Sequence, residues 1–299
     1  MADPTLLFVI GAPKAGTTWL YDYLASHPEC HLRGVKELHY FDTAAGTSRL
    51  EHYIEHMDSR AKDLDRKIAK AGFLQRRRLE AEKRDVRDWQ AVLRAQENGQ
   101  GQGHRAYLDY MTKGLGRAKL IADITPCYVT LTREHFAEMA ALGDDVRFVF
   151  LLRDPVDRAW SQARMNGQRR ARQTKRPVEA VVKRNFDNFL DGDLNGFAAR
   201  SDYARTLTEL SAAVPGARIH VEFYEQLFTE PALQRLTAFL GIAPHPGAFD
   251  SVSHAGRAIP LDAERRARAE ARLRDQYAFC NTYFNGQLPD RWRAHMAEA

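Results

Sequence analysis

Two continuous apolar runs, each followed by a polar turn and then a helical pattern, determine the predicted fold. The first run, 6–10, ends at a glycine loop, after which apolar side chains recur at helical spacing across Thr17–Ser26. The second run, Val146–Leu152, ends in the polar turn 153–155, whose proline begins another helix. Uninterrupted apolar runs of this length are typical of strands that are buried on both faces in a parallel sheet.

The remaining segments continue this alternation of strands and helices. Weaker strands are predicted at 119–122 and 218–223, and further helices at about 178–190, 201–213, 231–240 and 262–280. Strands that alternate with helices indicate an α/β fold, with a mostly parallel sheet flanked by helices. We predict a single domain over residues 1–299.

A charged segment at 58–94 interrupts this pattern. It holds twelve Lys/Arg and seven Asp/Glu, an excess equal to the net charge of +5 of the whole chain. It has no proline and one glycine, Gly72, and opposite charges recur four positions apart, so a surface helix or helical hairpin is expected. The glycine-rich stretch 98–103 closes it as a flexible linker. We interpret 58–106 as a charged helical insertion, which is either a solvated appendage or a functional surface.

Composition narrows the class of protein. Hydrophobic residues make up 44% of the chain and charged residues 28%, as in a packed globular protein. The pI of about 9.1 suggests an anionic partner, although a solvated basic face would give the same value. Cys30, Cys127 and Cys280 form no pair spaced for a metal, so we expect reduced thiols and a cytoplasmic location. The apolar stretch 6–12 is too short to span a bilayer.

The loop 11–18 is the strongest candidate for a binding site. Between a strand and a helix, backbone N–H groups and the helix N-terminus form a cradle for anions, and Gly11 and Gly16 let the backbone approach phosphate oxygens. The fold is therefore predicted to be of the P-loop type. Thr17 stands where ATP- and GTP-binding loops carry lysine, and Lys14 lies inside the loop instead, near a bond that would be broken. No apolar strand is seen to end in an aspartate placed to hold Mg²⁺, so no metal is expected.

The loop and the helix after it, PKAGTTWL, resemble the donor loop PKxGTT of the sulfotransferases that use PAPS (3′-phosphoadenosine-5′-phosphosulfate). The resemblance implies that PAPS is the donor and PAP the product. It assigns donor binding to Lys14, Ala15, Gly16, Thr17, Thr18 and Trp19.

A second signature of this family, a strand followed by RxP…R..S, matches 147–161. The match implies that Arg153 and Ser161 hold the 3′-phosphate of PAPS, the group that distinguishes PAPS from ATP. A planar guanidinium and a hydroxyl suit a dianionic phosphate. The alternative for Arg153 is a local ion pair with Asp154 at the end of a strand.

The segment 35–42 resembles the KExHFFD segment of the heparan sulfate 3-O- and N-sulfotransferases, and 125–128 and 254–260 add weaker matches. The resemblance implies that Glu37 is the general base, kept ionised by its neighbour Lys36. His39 is the rival base or a structural histidine.

The segment 254–260 resembles the family's glycine-basic loop near the 3′-phosphate, which implies donor contacts from Gly256 and Arg257. Ile124 stands where some glycan enzymes carry lysine, and neither a membrane anchor nor a disulfide is evident, so a bacterial-type soluble member is expected. The basic run 164–184 lines an acceptor cleft, screens the donor's charge, or is solvated.

Together these features predict a sulfotransferase that moves the sulfuryl group of PAPS to a hydroxyl or amine of a small-molecule or glycan acceptor. A carbohydrate or polyhydroxylated metabolite is favoured. The alternatives are a P-loop kinase or NTPase, and a non-catalytic protein that binds polyanions through the basic segment. Neither a nucleic acid nor a membrane is expected as a partner.

Overall fold

Five parallel strands form one sheet in the computed structural model, which describes residues 3–99, 102–192, 197–249 and 259–297. The order across the sheet is β2-β3-β1-β4-β5. The strands are β1 (Thr5–Gly11), β2 (Cys30–His31), β3 (Leu120–Ile124), β4 (Val146–Leu152) and β5 (Ile219–Phe223). The predicted parallel α/β sheet is confirmed.

The sheet is buried because both apolar runs recognised in the sequence lie at its centre. Residues 7–10 of β1 and 148–152 of β4 have no exposed surface. Phe8 of β1 faces Phe148 of β4, and their rings stack with centroids 5.5 Å apart. This continuous apolar centre holds the carboxyl ends of β1, β3 and β4 at one edge, where ligands bind in open α/β sheets.

Helices cover the sheet and connect its strands. They are α1 (Thr17–Ser26), α2 (Tyr40–Ala44), α3 (Leu50–Ile68), α4 (Phe73–Glu97), α5 (Arg105–Thr112), α6 (Arg133–Ala140), α7 (Pro155–Thr174), α8 (Val178–Leu190), α9 (Tyr203–Ala213), α10 (Tyr224–Leu227), α11 (Glu230–Leu240), α12 (Ala263–Tyr283) and α13 (Asp290–Ala297). None of the helices in the described ranges has both the length and the apolar composition that crossing a bilayer requires.

The charged segment forms a helical hairpin of α3 and α4, and the hairpin begins at Leu50 rather than at 58. The charge count begins at Asp58, whereas the apolar face of α3 begins earlier, with the buried side chains Ile54 and Met57. At the other end, Trp89 of α4 is buried and its ring lies 4.8 Å from that of Tyr110. The hairpin is therefore anchored in the core through part of its length.

Candidate functional site

The predicted anion-binding loop connects β1 to α1 and depends on two glycines. Gly16 has φ 92°, and a Cβ there would lie 2.9 Å from Cδ2 of Leu227. At Gly11 a Cβ would lie 2.2 Å from Cγ1 of Val129. Only glycine fits this close approach of backbone to neighbouring elements. The loop is consequently held in one shape by β1, α1 and α10.

Arg153, which follows β4, lies against this loop. Its Nη1 donates a hydrogen bond to the carbonyl oxygen of Lys14 at 3.1 Å, and its guanidinium lies 4.4 Å from the centroid of the Tyr224 ring. The structure therefore brings Lys14 and Arg153 together at one edge of the sheet.

Asp154 takes no part in an ion pair with Arg153. Its side chain is fully buried, accepts a hydrogen bond from Tyr277 Oη at 2.8 Å and lies 2.9 Å from Nδ1 of His295. It also caps α7 by accepting from the backbone N–H of Asp157. The alternative reading of the strand end as a local Arg153–Asp154 pair is wrong, because the carboxylate is directed into the core.

Positive charge accumulates around Lys14. Burial lowers the pKa of Lys14 first, and the neighbouring charges of Arg153 and Arg164 lower it further, whereas Glu37 raises it. The Nζ of Lys14 lies 3.7 Å from Sδ of Met165. Three cations that repel one another around one loop form a site that favours an anion between them.

Ser161 and Arg164 lie one turn apart on the same face of α7. Ser161 is 8% exposed. The Nε of Arg164 is buried and has no hydrogen-bond partner within the described ranges. Arg158, the other arginine of the second signature, is fully buried, donating to Ser201 Oγ at 2.9 Å and Gln162 Oε1 at 2.7 Å. Arg158 therefore supports the site from inside, whereas the buried Nε of Arg164 is free to donate within the described residues.

The start of α1 links the donor loop to the predicted acceptor segment. Nζ of Lys36 donates to Oγ1 of Thr18 at 2.6 Å. Ala15 and Thr17 are buried, and Trp19 is 5% exposed. The indole of Trp19 donates to the Ala248 carbonyl at 3.0 Å and stacks with Phe249 at 6.0 Å. Trp19 therefore offers little free surface while Phe249 covers it.

Lys14, Glu37 and His39 share an unusual backbone conformation. Their φ angles are 74°, 58° and 55°, in the left-handed region that non-glycine residues rarely adopt. Within the described ranges, the other non-glycine residues with positive φ are His104, Lys175 and Asn285. Strain of this kind clusters at functional sites, and three of these six residues are the ones that the sequence singled out.

His39 lies between two carboxylates. Its Nδ1 is 2.8 Å from Oδ2 of the fully buried Asp42, and its Nε2 is 3.8 Å from Oε2 of Glu37. Burial lowers the pKa of His39, but the hydrogen bond to Asp42 and the charge of Glu37 outweigh it and raise the pKa to about 9. His39 is therefore an imidazolium at neutral pH, and its ring stacks on Tyr53 with centroids 4.0 Å apart.

Glu37 is ionised in this setting. Burial raises its pKa, but His39 beside it and the charges of Lys36 and Lys14 lower it more, and the net pKa is below the ordinary value. The side chain is 41% exposed. A carboxylate that is reachable, charged and held between cations can accept a proton from a bound acceptor.

A buried hydrogen-bond network around Asp123 fixes the segment that carries Glu37 and His39. Asp123 accepts from the hydroxyls of Thr125, Tyr128 and Tyr107 at 2.6, 2.8 and 3.0 Å. The Thr125 hydroxyl accepts from the backbone N–H of Leu38 at 2.8 Å, and the Tyr128 hydroxyl accepts from that of Tyr40 at 3.2 Å. β3 therefore positions the acceptor segment through two hydroxyls.

Asp123 is an aspartate near the end of an apolar strand, since it is the penultimate residue of β3. Its carboxylate is nevertheless engaged by the three hydroxyls. Burial raises its pKa to about 6, and those hydrogen bonds only partly offset the rise.

The family model of the sulfotransferase family matches residues 4–246. The chain belongs to the sulfotransferase family. This match covers the donor loop, the acceptor segment and the strand end at Arg153. No curated protein sequence matches the chain.

Three solved sulfotransferase structures align with the chain. A sulfotransferase from Alicyclobacillus acidocaldarius aligns with a TM-score of 0.61 and 20% identity, over 98% of this chain and 100% of that one. The sulfotransferase domain of the curacin biosynthetic pathway aligns at 0.46 and 17% identity, over 83% of this chain and 77% of that one. The corresponding domain of the Synechococcus PCC 7002 olefin synthase aligns at 0.42 and 18% identity, over 91% and 95%. The first of these establishes a sulfotransferase-like fold for the chain.

Among the residues that the structure describes, one side-chain cluster has donor atoms close enough to hold a metal: atoms of His39, Asp42 and Cys127 lie within 4.8 Å of one another. Burial raises the pKa of Cys127 to about 11, and Nη2 of Arg200 lies 3.8 Å from its Sγ. His39 and Cys127 would both have to lose a proton to bind a metal. The cluster therefore suits an ion-pair network better than a metal.

A cavity of about 1010 Å³ lies elsewhere, between the α3–α4 hairpin and the loop after β2. Arg33 on its wall is paired with Asp85 and Asp88. None of the predicted site residues lines this cavity. The convergence of charged side chains, rather than cavity size, locates the candidate site.

Gly256 and Arg257 lie outside the described residues. Of the basic run, Arg169, Arg170 and Arg172 are exposed, while Lys183 pairs with Glu179 at 2.8 Å. Asp42 and Asp123 lie in the candidate site without having been expected there from the sequence. Their signal in the sequence was weak, because each is a single aspartate whose partners are revealed only by folding.

Proposed function

We propose that this protein transfers the sulfuryl group of PAPS to a hydroxyl or amine of an acceptor and releases PAP. The observation that carries the proposal is the convergence of Lys14, Arg153 and Glu37 at one edge of the sheet. Two cations there suit an anionic donor, and the adjacent carboxylate suits an acceptor that must lose a proton.

The donor would be held by the loop and by α7. Backbone N–H groups of 15–18 at the N-terminus of α1 would bind the 5′-phosphate oxygens, with Lys14 against the bridging oxygen. Arg153 and Ser161 would bind the 3′-phosphate, and we assign Gly256 and Arg257 to the same end. Tyr224 stacks on Arg153 and would keep its guanidinium plane in place.

Glu37, rather than His39, would be the general base. An imidazolium with a pKa of about 9 has no free lone pair at neutral pH. Its Nε2–H is directed toward Glu37 and would orient that carboxylate, while Asp42 holds Nδ1–H from the other side. The order Asp42–His39–Glu37 leaves one oxygen of Glu37 for the acceptor proton.

The transfer would proceed in one in-line step. The acceptor O–H or N–H gives its proton to Glu37, while a lone pair on the acceptor oxygen or nitrogen forms the new bond to sulfur. The bond between sulfur and the bridging oxygen breaks, and its electron pair stays on the 5′-phosphate of PAP. Lys14 stabilises that developing charge, and no step requires a metal.

The acceptor would be a small molecule or a glycan, with a carbohydrate or polyhydroxylated metabolite favoured by the match of 35–42. Tyr53, stacked on His39, lies where it would contact such an acceptor. We place the enzyme in the cytoplasm, in keeping with the free cysteines Cys30, Cys127 and Cys280.

The test combines binding with transfer. Calorimetry should show PAP binding far more tightly than ADP without Mg²⁺, and labelled PAPS with pools of acceptors should give a product heavier by one SO₃. Lys14→Ala should lower kcat by about 100-fold or more. Lys62→Ala, at an exposed position on α3, is the matched control. Absence of PAP binding in the unaltered protein would overturn the proposal.

A further inference from the structure

The turn between α3 and α4 carries two adjacent apolar side chains in solvent. Phe73 is 74% exposed and Leu74 is 80% exposed, the highest values among the large apolar side chains of the described residues. Both belong to the first turn of α4. Large apolar groups placed side by side in water indicate a surface that contacts something else.

This turn extends well beyond the core. The buried side chains of α3 end at Leu64, and those of α4 begin at Val86. At 1.5 Å per helical residue, Phe73 lies about 20 Å along α4 from Val86. The far end of the hairpin is therefore built without the packing that would explain two apolar residues there.

The same end of the hairpin is strongly basic. The stretch 66–79 contains no Asp or Glu and six basic residues: Arg66, Lys67, Lys70, Arg76, Arg77 and Arg78. Arg66 pairs with Asp63, and Arg76 pairs with Glu80 at 3.0 Å. The other four have no ion pair within the described ranges, and the guanidinium of Arg77 lies 5.9 Å from the centroid of the Phe73 ring. We call this stretch, 66–79, the basic tip.

We propose that the basic tip docks the protein on the surface of an anionic lipid bilayer. Phe73 and Leu74 would enter the interface between headgroups and acyl chains, and the surrounding cations would bind lipid phosphates. Clusters of four to eight Lys/Arg next to apolar side chains have this affinity for anionic membranes.

The combination of cations with exposed apolar side chains distinguishes an anionic bilayer from other polyanions as the partner of the basic tip. A nucleic acid would engage the cations through its phosphates but would leave the aliphatic Leu74 in water. A bilayer satisfies both kinds of side chain at once. The proposal revises the expectation that no membrane is a partner, and it goes beyond the proposed transfer reaction because it concerns a surface outside the candidate site.

Sedimentation with vesicles tests the proposal on the full chain. The protein should sediment with vesicles of phosphatidylcholine containing about one third phosphatidylglycerol and not with pure phosphatidylcholine. Phe73→Ser/Leu74→Ser and Arg76→Gln/Arg77→Gln/Arg78→Gln should each weaken binding by about tenfold or more. The altered positions are exposed, so circular dichroism should show intact folds.

A matched control separates the tip from net charge. Arg169→Gln/Arg170→Gln/Arg172→Gln removes the same three charges from exposed positions of α7 and should leave vesicle binding within about twofold. Equal losses in both triple variants would overturn the proposal, since they would show attraction by overall charge. So would self-association that the Phe73/Leu74 variant abolishes, or binding to single-stranded RNA without binding to vesicles.

Fluorescence gives a second readout. All four native tryptophans, at 19, 89, 160 and 292, are at most 6% exposed. Phe73→Trp would therefore add the one tryptophan in water, and its emission should shift to shorter wavelength with anionic vesicles. Emission that stays at the solvent-exposed wavelength while the protein sediments would show that the tip is not inserted, and would refute the proposal.

Discussion

Three residues singled out by motif also carry the strained backbone of the site. Lys14, Glu37 and His39 have positive φ, which costs about 1 kcal/mol or more at each non-glycine residue. The surrounding contacts hold them there: Arg153 bonds the Lys14 carbonyl, and Thr125 bonds the backbone at Leu38. The strained backbone thus lies at the three residues whose ammonium, carboxylate and imidazolium form the candidate site.

At this scale the two candidate bases make opposite pH predictions. If Glu37 is the base and charged His39 orients it, kcat should be level near neutral pH and fall as His39 loses its proton around pH 9. If His39 were the base, kcat would rise through the same range. The acid limb should lie below about pH 4.5, because the pKa of Glu37 is lowered. A pH–rate profile decides between them.

His39 also links stability to pH. Its folded pKa of about 9 exceeds the ordinary value of 6.5, so its stabilising charge is fully present below pH 6.5 and lost as the pH rises through 9. We expect the free energy of unfolding to fall over this window. His39→Gln should flatten that part of the profile, measured by urea unfolding at several pH values. An unchanged slope in the variant would contradict the assignment.

Among the elements, β3 acts on the site at a distance from the reacting atoms. Its Asp123 binds three hydroxyls, and two of these bind backbone N–H groups next to Glu37 and His39. The strand thus sets the position of a segment far from it in sequence. A side chain with this role would position the proposed base without touching donor or acceptor.

Asp123→Asn tests this role with little change in volume. The amide N–H₂ would face hydroxyls that now donate to a carboxylate, and a buried hydrogen bond misplaced in this way costs about 1–3 kcal/mol. We expect kcat to fall by about tenfold or more while the Kd for PAP stays within about twofold. A loss of PAP affinity equal to the loss of kcat would show general unfolding instead.

The junction of β1, the loop and α1 gives a second prediction for an element. Gly16→Ala would add a Cβ 2.9 Å from Leu227 at a φ of 92°, so it should weaken PAP binding and lower the Tm. Gly286→Ala, at φ 76° with open space around the Cβ, is the matched control for strain alone. Equal effects of the two changes on PAP binding would contradict a role of Gly16 in the loop.

At the scale of the whole molecule, donor binding should increase the free energy of unfolding. A ligand that binds only the folded chain adds about 2.7 kcal/mol at 100 times its Kd, which for a chain of this size raises the Tm by several degrees. PAP should therefore raise the Tm, and Arg153→Ala should reduce the rise more than it reduces the Tm of the free protein. Thermal unfolding with PAP and with ADP measures both effects.

The sequence predicted the parts of the fold that local pattern controls. The buried strands at 6–10 and 146–152 were predicted from continuous apolar runs, and the helix Val178–Leu190 was predicted at about 178–190. The two-residue strand Cys30–His31 was missed, because a strand so short leaves no alternation to detect. Short helices such as Tyr40–Ala44 were missed for the same reason.

The residues of the candidate site also divide into those that local sequence patterns reveal and those that only the fold reveals. Lys14, Glu37, His39 and Arg153 were found because they lie in short motifs beside predicted strands and helices. The pairing of His39 with Asp42 and the network around Asp123 depend on which hydroxyls and carboxylates meet after folding. No local sequence pattern predicts the distances between segments that are far apart in sequence.

The central place of β1 in the sheet bears on the order of events during synthesis. Thr5 of β1 pairs with Leu120 and Leu6 pairs with Val146, so the partner strands are synthesised about 115 and 140 residues after β1. Until then a highly apolar segment has no strand to join. Nascent chains should therefore depend on chaperones early, and gain the capacity to hold a nucleotide abruptly rather than by degrees.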